Sequence, residues 1–238
     1  TSIGVTMVAD TLPLGGAESL QLRVLSGLDR SRFHASVVCL REAGVMAPRF
    51  EEAGVDVHVM GRRGAAHLAT VPALARELRR RRTDVVLLTT HHATLMFAPP
   101  AARLAGAGLV LGLHQTGGKA IGIPSFPRHS VEGAFLLDAL VVLTRAQVDY
   151  LRAEEGFLRF PWRRAPIAVI PNGVDIPPPA TADERAQARH ELGLDPGDLA
   201  VGIVAALRPE KDHELLMRAA ARMAGDHPAL RLVLIGSG

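Results

Sequence analysis

Apolar runs of strand length alternate with segments of helical period along most of this 238-residue chain. This alternation is typical of βαβ units, because consecutive parallel strands are joined by crossover helices. The candidate strands are "IGVTMVAD", "HASVVCL", "VDVHV", "DVVLLT", "LVLGLH", "ALVVLT", "IAVIP", "LAVGIVAAL" and "LRLVLIG". The candidate helices include "AESLQLRVLSGL", "TVPALARELRRRR", "ATLMFAPPAARLAG" and "RAQVDYLRAEEG"; Pro99 and Pro100 are expected to kink or split the third. The sequence therefore predicts an α/β fold built on a parallel sheet.

The segment "IPNGVDIPPPATADE" is the clearest domain boundary. Asn-Gly favours a tight turn, and three successive prolines form a stiff, extended connector. We therefore expect one Rossmann-like domain over residues 1–172 and the first part of a second over 173–238. The last residues, "LRLVLIGSG", read as a strand and its glycine turn, so the natural protein is expected to continue past Gly238.

Composition restricts the class of protein. The net charge of +3 and the pI near 9.7 allow anionic ligands without requiring nucleic acid, which we do not expect as a partner. Cys39 is the single cysteine, which excludes a disulfide framework and suits a reducing compartment. No run approaches the roughly 18 apolar residues of a membrane-spanning helix. A cytoplasmic protein is the expectation.

A glycine loop follows the first candidate strand. In "DTLPLGGAESL", Gly15 and Gly16 open a helix, whose free N–H groups and partial positive charge suit a phosphate. The loop is neither a Gly-x-Gly-x-x-Gly fingerprint nor a Walker loop. A glycine turn that packs helix against strand is the competing interpretation.

Two cations follow a strand in the second half. In "LRPEKDHELL", Arg208 and Lys211 lie between a strand and a helix, at the sheet edge where α/β proteins bind ligands. Arginine can bind phosphate through two parallel hydrogen bonds, and lysine adds a point charge. The alternative is a solvated pair, with Lys211 bridged to Glu210 or Glu214.

Histidines also stand at strand ends. His114 closes "LVLGLH" before "QTGG" and is placed to contact a substrate hydroxyl, although a histidine in such a position is more often a structural residue. His91 and His92 follow "VLLTT"; as neighbours on a strand they would point to opposite faces. Their spacing does not suit zinc, and the chain has no Asp-x-Asp pair, so no metal is expected.

Basic residues form a third feature. The run "RELRRRR" at 76–82 is expected to be a solvated helix face, with Arg62 and Arg63 nearby. The segment "FLRFPWRRAP" at 157–166 mixes aromatic and basic side chains, a combination that suits an anionic membrane surface. Peripheral contact with the inner face of the membrane is one interpretation.

Four motifs occur in order over the whole chain: "LPLGGAE", "VIPNGVD", "VAALRPEKDHELLMRAAA" and "PALRLVLIGSG". Their order and spacing resemble family 4 of the retaining glycosyltransferases, also called group 1, which have the GT-B fold. The resemblance implies an N-terminal domain that binds the acceptor and a C-terminal domain that binds a nucleoside diphosphate sugar, such as a UDP- or GDP-sugar.

The resemblance also implies roles for individual residues. Gly16 would present its N–H to the donor diphosphate, with Gly15 allowing the turn, and Arg208 and Lys211 would neutralise that diphosphate in place of a metal. His114 would lie near the reacting sugar and Gly236 against the nucleoside. The assignments to the acceptor are Thr90, His91, Gly117 and Gly118. No cofactor is implied beyond the nucleotide sugar, which is a co-substrate.

The resemblance is incomplete at one point. The Glu-x7-Glu pair of the family would lie beyond Gly238, so residues 1–238 alone are expected to show little or no transfer. The acceptor could be a glycan, a lipid-linked sugar or a small molecule. Two alternatives remain open at this stage: a non-catalytic remnant that binds nucleotide or glycan, and a GT-B nucleotide-sugar epimerase.

Overall fold

The structure, a computed structural model, describes residues 2–62, 67–114, 135–153 and 166–237. The chain divides into two compact units, unit 1 over Thr1–Gly173 and unit 2 over Val174–Gly238. Each unit is described by itself. Whether unit 1 binds an acceptor and unit 2 a nucleotide sugar stays a prediction.

Unit 1 is built on a seven-stranded parallel sheet with the order β3-β2-β1-β4-β5-β6-β7. The strands are β1 Ile3–Ala9, β2 Phe33–Cys39, β3 Asp56–Val59, β4 Thr83–Thr89, β5 Leu109–His114, β6 Ala139–Val142 and β7 Ile167–Val169. Each lies inside a predicted strand or overlaps one. The predicted α/β fold with a parallel sheet is confirmed.

Helices cover both faces of this sheet. The described helices of unit 1 are α1 Gly16–Ser26, α2 Ala47–Glu52, α3 His67–Arg80, α4 His92–Ala105 and α5 Arg145–Ala153. Side chains alternate along each strand, so Met7 packs in the cluster that includes α1 and α2 and Val8 in the cluster that includes α3, α4 and α5. Both faces are therefore apolar, as strands buried on two sides require.

Helix α4 passes through both of its prolines. It is continuous from His92 to Ala105, so the expected split at Pro99 and Pro100 was wrong. Leu95, Ala98 and their neighbours on this helix are fully buried against the sheet, and this packing outweighs the two missing N–H donors. Among the described residues, no helix is both long and apolar enough to cross a membrane.

Unit 2 contains two strands, β8 Leu199–Val204 and β9 Leu230–Ile235, which pair in parallel. Helix α6 spans Ala182–Glu191 and starts with a capping box between Thr181 and Glu184; helix α7 spans His213–Met223 and follows β8. No described residue of unit 2 is buried, in contrast to the dense core of unit 1.

An ion-pair cluster joins the end of α3 to β3. Arg81 donates from Nε to Glu77 at 2.6 Å and also pairs with Asp56, and its side chain is only 5% exposed. Arg80 bonds the same Glu77 carboxylate through two nitrogens, at 2.6 and 2.9 Å. The prediction of a solvated arginine run was therefore wrong for Arg81, because carboxylates from two elements enclose it.

This cluster predicts a pH dependence of stability. The hydrogen bonds from Arg80, aided by Arg81 and opposed by burial, lower the pKa of Glu77 from 4.5 to about 2. A carboxyl whose pKa is lower in the folded state stabilises it above pH 4.5, and this contribution is lost as the pH falls towards 2. In Glu77→Gln, the deficit in unfolding free energy should therefore be largest above pH 4.5 and shrink between pH 4.5 and 2.

Urea unfolding at several pH values measures this deficit. The exposed Glu42, which has no salt bridge in the described part of the chain, provides the control variant Glu42→Gln. A Glu77→Gln deficit that stays constant over this pH range would contradict the cluster's role.

Candidate functional site

The carboxyl ends of the parallel strands in unit 1 converge on one edge of the sheet. The ladder continues past the strands there: Leu40 N donates to Ala9 O at 2.8 Å and Arg41 N to Asp10 O at 3.0 Å. The residues that follow β1 to β5 are therefore held next to one another, at the edge where parallel α/β proteins bind ligands. We call this the carboxyl edge.

The glycine loop leads from β1 into α1. Gly15 is extended, with φ −165° and ψ 164°, and is the N-cap of α1, while Gly16 is its first residue. A Cβ on Gly16 would meet no atom within 4 Å, so the fold does not require glycine there. The carboxylate of Glu18 lies in the first turn and next to Gly15, where it would compete with an anionic ligand for the helix N-terminus. Phosphate binding by this loop stays a prediction.

Thr90 and His114 are brought together at the ends of β4 and β5. Thr90 Oγ1 lies 2.7 Å from His114 Nδ1, and the two residues are 4% and 1% exposed. This hydrogen bond fixes the imidazole ring, so any contact of the ring with a substrate would run through Nε2. The structure thus places the predicted His114 at the carboxyl edge, although deep below its surface.

His91 and His92 lie at the start of a helix. His91 is the N-cap of α4 and His92 its first residue, so the expectation of two strand neighbours on opposite faces was wrong. The Thr94 hydroxyl lies at this junction, within hydrogen-bond reach of the carbonyl oxygens of Thr89 and His91. Gly117, Gly118 and the basic segment 157–166, apart from Pro166, lie outside the described residues.

An ion pair at the carboxyl edge was missed by sequence reasoning. Arg41 Nη2 lies 3.0 Å from Asp10 Oδ2, and the other oxygen, Oδ1, is buried without a partner in the described part of the chain. Asp10 and Arg41 lie within two residues of the end of a strand, which is the only indication that the sequence offered. Burial, together with the charge of Asp10, raises the pKa of the Cys39 thiol to about 12, so Cys39 is a neutral core residue and not a nucleophile.

A second arginine at this edge was assigned only to a surface patch. Arg62 follows β3, and its guanidinium carbon lies 4.7 Å from the centroid of the Phe97 ring. Its Nε is buried and has no hydrogen-bond partner among the described residues. The sequence could not show this, because Phe97 is 35 residues away.

In unit 2 the structure brings Arg208 and Gly236 together. Ala205 N donates to Ile235 O at 2.9 Å and Leu207 N to Ser237 O at 3.1 Å, so the turns after β8 and β9 run side by side. A Cβ on Gly236 would overlap the carbonyl oxygen of Ala205. Glycine is therefore required at position 236 by the fold alone, whether or not a nucleoside lies there.

Arg208 is the N-cap of a short 3₁₀ turn, Pro209–Lys211, that precedes α7, and Lys211 is its last residue. Both side chains are exposed, and neither pairs with a carboxylate in the described part of the chain. Glu214, one of the two partners considered for Lys211, lies 3.9 Å from Arg218 instead. The two cations are thus available to an anionic ligand.

Comparisons with known proteins identify the family of the chain. Residues 14–176 match Glycosyltransferase Family 4. A 105-residue segment is 30% identical to a D-inositol 3-phosphate glycosyltransferase from Segniliparus rotundus, covering 44% of this chain and 22% of that protein.

Solved structures share the fold. The chain matches a glycosyltransferase from Rickettsia africae ESF-5 with a TM-score of 0.76 at 13% identity, over 99% of this chain and 60% of that one. It also matches a UDP-GlcNAc 2-epimerase from Neisseria meningitidis bound to UDP-GlcNAc, with a TM-score of 0.57 at 12% identity, over 98% and 65% of the two chains. The chain therefore spans less than two thirds of each of these proteins, and the fold is of the GT-B type.

The Thr90–His114 bond predicts a specific cost of mutation. Thr90→Val keeps the shape of the side chain but removes the hydroxyl that bonds the buried imidazole, which should lower the unfolding free energy by about 1–3 kcal/mol. Thr90→Ser retains the hydroxyl and serves as the control. Urea unfolding measures stability, and the ¹⁵N shift of His114 Nδ1 reports the bond; an unchanged shift in Thr90→Val would refute the bond.

Proposed function

The chain belongs to Glycosyltransferase Family 4, and from this membership we propose that the protein transfers a sugar from a nucleoside diphosphate sugar to an acceptor hydroxyl with retention of the anomeric configuration. The match over residues 14–176 carries the proposal. In the reaction the acceptor oxygen bonds to the anomeric carbon, the bond from that carbon to the phosphate oxygen breaks, and the diphosphate leaves with the electron pair. The hydroxyl proton leaves with the diphosphate or to water.

Arg208 and Lys211 are proposed to stabilise the leaving diphosphate without a metal ion. Negative charge grows on the phosphate oxygens as the glycosidic bond breaks, so fixed cations lower the barrier more than they stabilise the bound substrate. Their exposure and lack of carboxylate partners in the described part of the chain support this role. A turn that begins with Pro209 separates them, which limits the loss of backbone entropy on binding.

Gly16 is proposed to donate its backbone N–H to a phosphate of the nucleotide sugar. It is the first residue of α1, where N–H groups have no partner within the helix, and the absence of a side chain lets a ligand approach the backbone closely. Gly236 is proposed to lie against the nucleoside, next to Arg208 in unit 2.

The carboxyl edge of unit 1 is proposed to bind the acceptor and the transferred sugar. His114 would contact a sugar hydroxyl through Nε2, with its ring fixed by Thr90. His91, exposed at the start of α4, and Gly117 and Gly118 would contact the acceptor. The name of the S. rotundus relative supports a small phosphorylated polyol as the first acceptor to test, although a glycan or lipid-linked acceptor, with contact at the cytoplasmic face of a membrane, stays within the proposal.

A nucleotide-sugar epimerase is the second candidate, since one such enzyme shares the fold. The family match favours the transferase, because structural likeness at 12% identity carries the fold alone. The products separate the two: a transferase releases nucleoside diphosphate and a new glycoside, whereas an epimerase returns an isomerised nucleotide sugar. UDP-GlcNAc is the donor to try first, because it is bound in that epimerase.

Removing either cation should severely slow turnover. Arg208→Ala and Lys211→Ala should each lower kcat by about 10²- to 10³-fold, the cost of losing one group that stabilises developing charge. Arg218→Ala, which removes an exposed cation of α7 that lies 3.9 Å from Glu214, is the matched control. The assay is release of nucleoside diphosphate by the whole protein; wild-type turnover in both variants would refute the proposal and favour a binding protein without catalysis.

Gly16→Ala separates a ligand-binding glycine from a structural one. The added methyl group meets no atom within 4 Å, and alanine favours a helix by about 1 kcal/mol, so thermal unfolding should occur at the same or a higher temperature. The Michaelis constant for the nucleotide sugar should nevertheless rise, because the methyl group would block the phosphate. Unchanged donor kinetics would assign Gly16 to the turn alone.

A further inference from the structure

The backbone of Arg62 is fixed at the carboxyl edge beside β2. Met60 N donates to Cys39 O at 2.9 Å and Arg62 N to Leu40 O at 2.8 Å, so the chain continues the ladder for three residues beyond the end of β3. The position of Arg62 is therefore set by the sheet and does not depend on its side chain.

The guanidinium of Arg62 is held over an aromatic ring of the core. Its central carbon lies 4.7 Å from the centroid of Phe97, which is 2% exposed and belongs to α4. Stacking on a buried ring restricts the planar guanidinium and so orients its N–H donors before any ligand arrives.

One donor of this group is left unsatisfied. Arg62 Nε is buried without a hydrogen-bond partner, and no carboxylate pairs with Arg62 in the described part of the chain. Arg81 shows the usual solution for a buried arginine, since it bonds both Glu77 and Asp56. Because Nε is buried, an incoming ligand would meet the two Nη groups of the guanidinium, which have no carboxylate partner among the described residues.

We infer that Arg62 binds a phosphate group carried by the acceptor, an inference that rests on the proposed glycosyl transfer. The two Nη groups at the end of the guanidinium match two oxygens of a phosphate. The half-buried position of Arg62 keeps part of the side chain open to solvent, as entry of a ligand requires.

This phosphate is separate from the donor diphosphate. Gly16 follows β1, whereas Arg62 follows β3, and β2 lies between those strands. Neighbouring strands are about 4.8 Å apart, so the ends of β1 and β3 are about 10 Å apart. Gly16 and Arg62 thus lie beyond different strands, and Arg62 is assigned to a second anion.

Arg41, which also lies at the carboxyl edge, is already neutralised by a carboxylate. Arg41 lies 3.0 Å from Asp10, whereas Phe97 supplies no negative charge to Arg62. The N-terminus of α4 adds partial positive charge, with His92 about 7.5 Å along the helix axis from Phe97. The electrostatic field near Arg62 thus favours an anion.

Arg62→Met tests the inference with little change in packing, because methionine keeps a flexible apolar chain over Phe97. Arg32, whose guanidinium carbon lies 5.3 Å from the Phe33 centroid at the opposite, amino end of the sheet, gives the matched control Arg32→Met. Calorimetric titration of the whole protein with D-inositol 3-phosphate and with unphosphorylated inositol is the measurement. Thermal unfolding verifies that both variants fold.

Wild type and Arg32→Met should bind the phosphorylated probe more tightly than inositol. Arg62→Met should lose about 10- to 100-fold in affinity for it and nothing for inositol, and Arg62→Lys should recover part of the loss. In the transfer assay the same loss should appear in the acceptor KM and not in the donor KM. An Arg62→Met affinity equal to that of Arg32→Met would overturn the inference.

A second experiment identifies the source of the phosphate. Phosphatidylcholine vesicles that contain phosphatidic acid carry the same group on a lipid, and sedimentation measures whether the protein binds them. If wild type binds the vesicles but not the soluble probe, and Arg62→Met loses vesicle binding, the acceptor is lipid-linked. Failure of wild type to bind either probe overturns the inference. Absence of transfer by a protein that binds the phosphorylated probe through Arg62 contradicts only the proposed function.

Discussion

The hydrogen-bond ladder of the parallel sheet is the constraint on which unit 1 depends. β1 pairs with β2 over seven residues, from Ile3 opposite Phe33 to Ala9 opposite Cys39, and with β4 on its other side. Parallel pairing requires every connection to cross the sheet, so helices bury both faces and the interior is left to apolar side chains. Polar side chains that take part in chemistry are consequently restricted to the ends of strands, and the ladder sets their spacing.

The cations near the ends of the strands differ in the partners of their side chains. At the amino end, Arg81 is enclosed by Glu77 and Asp56, an arrangement that satisfies its donors within the protein. At the carboxyl edge, Arg41 has a single carboxylate partner and Arg62 has an aromatic ring in place of one. In unit 2, Arg208 and Lys211 lack carboxylate partners among the described residues. Arg62, Arg208 and Lys211 thus lie beyond the carboxyl ends of strands, where α/β folds bring ligands.

At a few positions the tertiary structure differs from what the local sequence predicts. Two adjacent prolines predict a broken helix, yet α4 continues because its buried face contributes more than two backbone hydrogen bonds cost. His91 and His92 follow an apolar strand, yet they are the N-cap and the first residue of α4. Arg81 lies within a polar run, yet its carboxylate partners bury it. The contacts that decide these structures are made in the folded protein and lie outside the local sequence pattern.

The sequence by itself determined the alternation of strands and helices, the parallel sheet, the family, and which residues follow strands, among them Gly16, His114 and Arg208. These follow from apolar periodicity and short motifs, which are properties of neighbouring residues. Only the tertiary structure decided that Thr90 bonds His114, that Asp10 pairs with Arg41, that Arg62 lies on Phe97 with an unsatisfied donor, and that Gly236 is required by the carbonyl of Ala205. The physical reason is that strand order places residues from distant parts of the chain in contact, and one sequence read along its length carries no signal for such pairs.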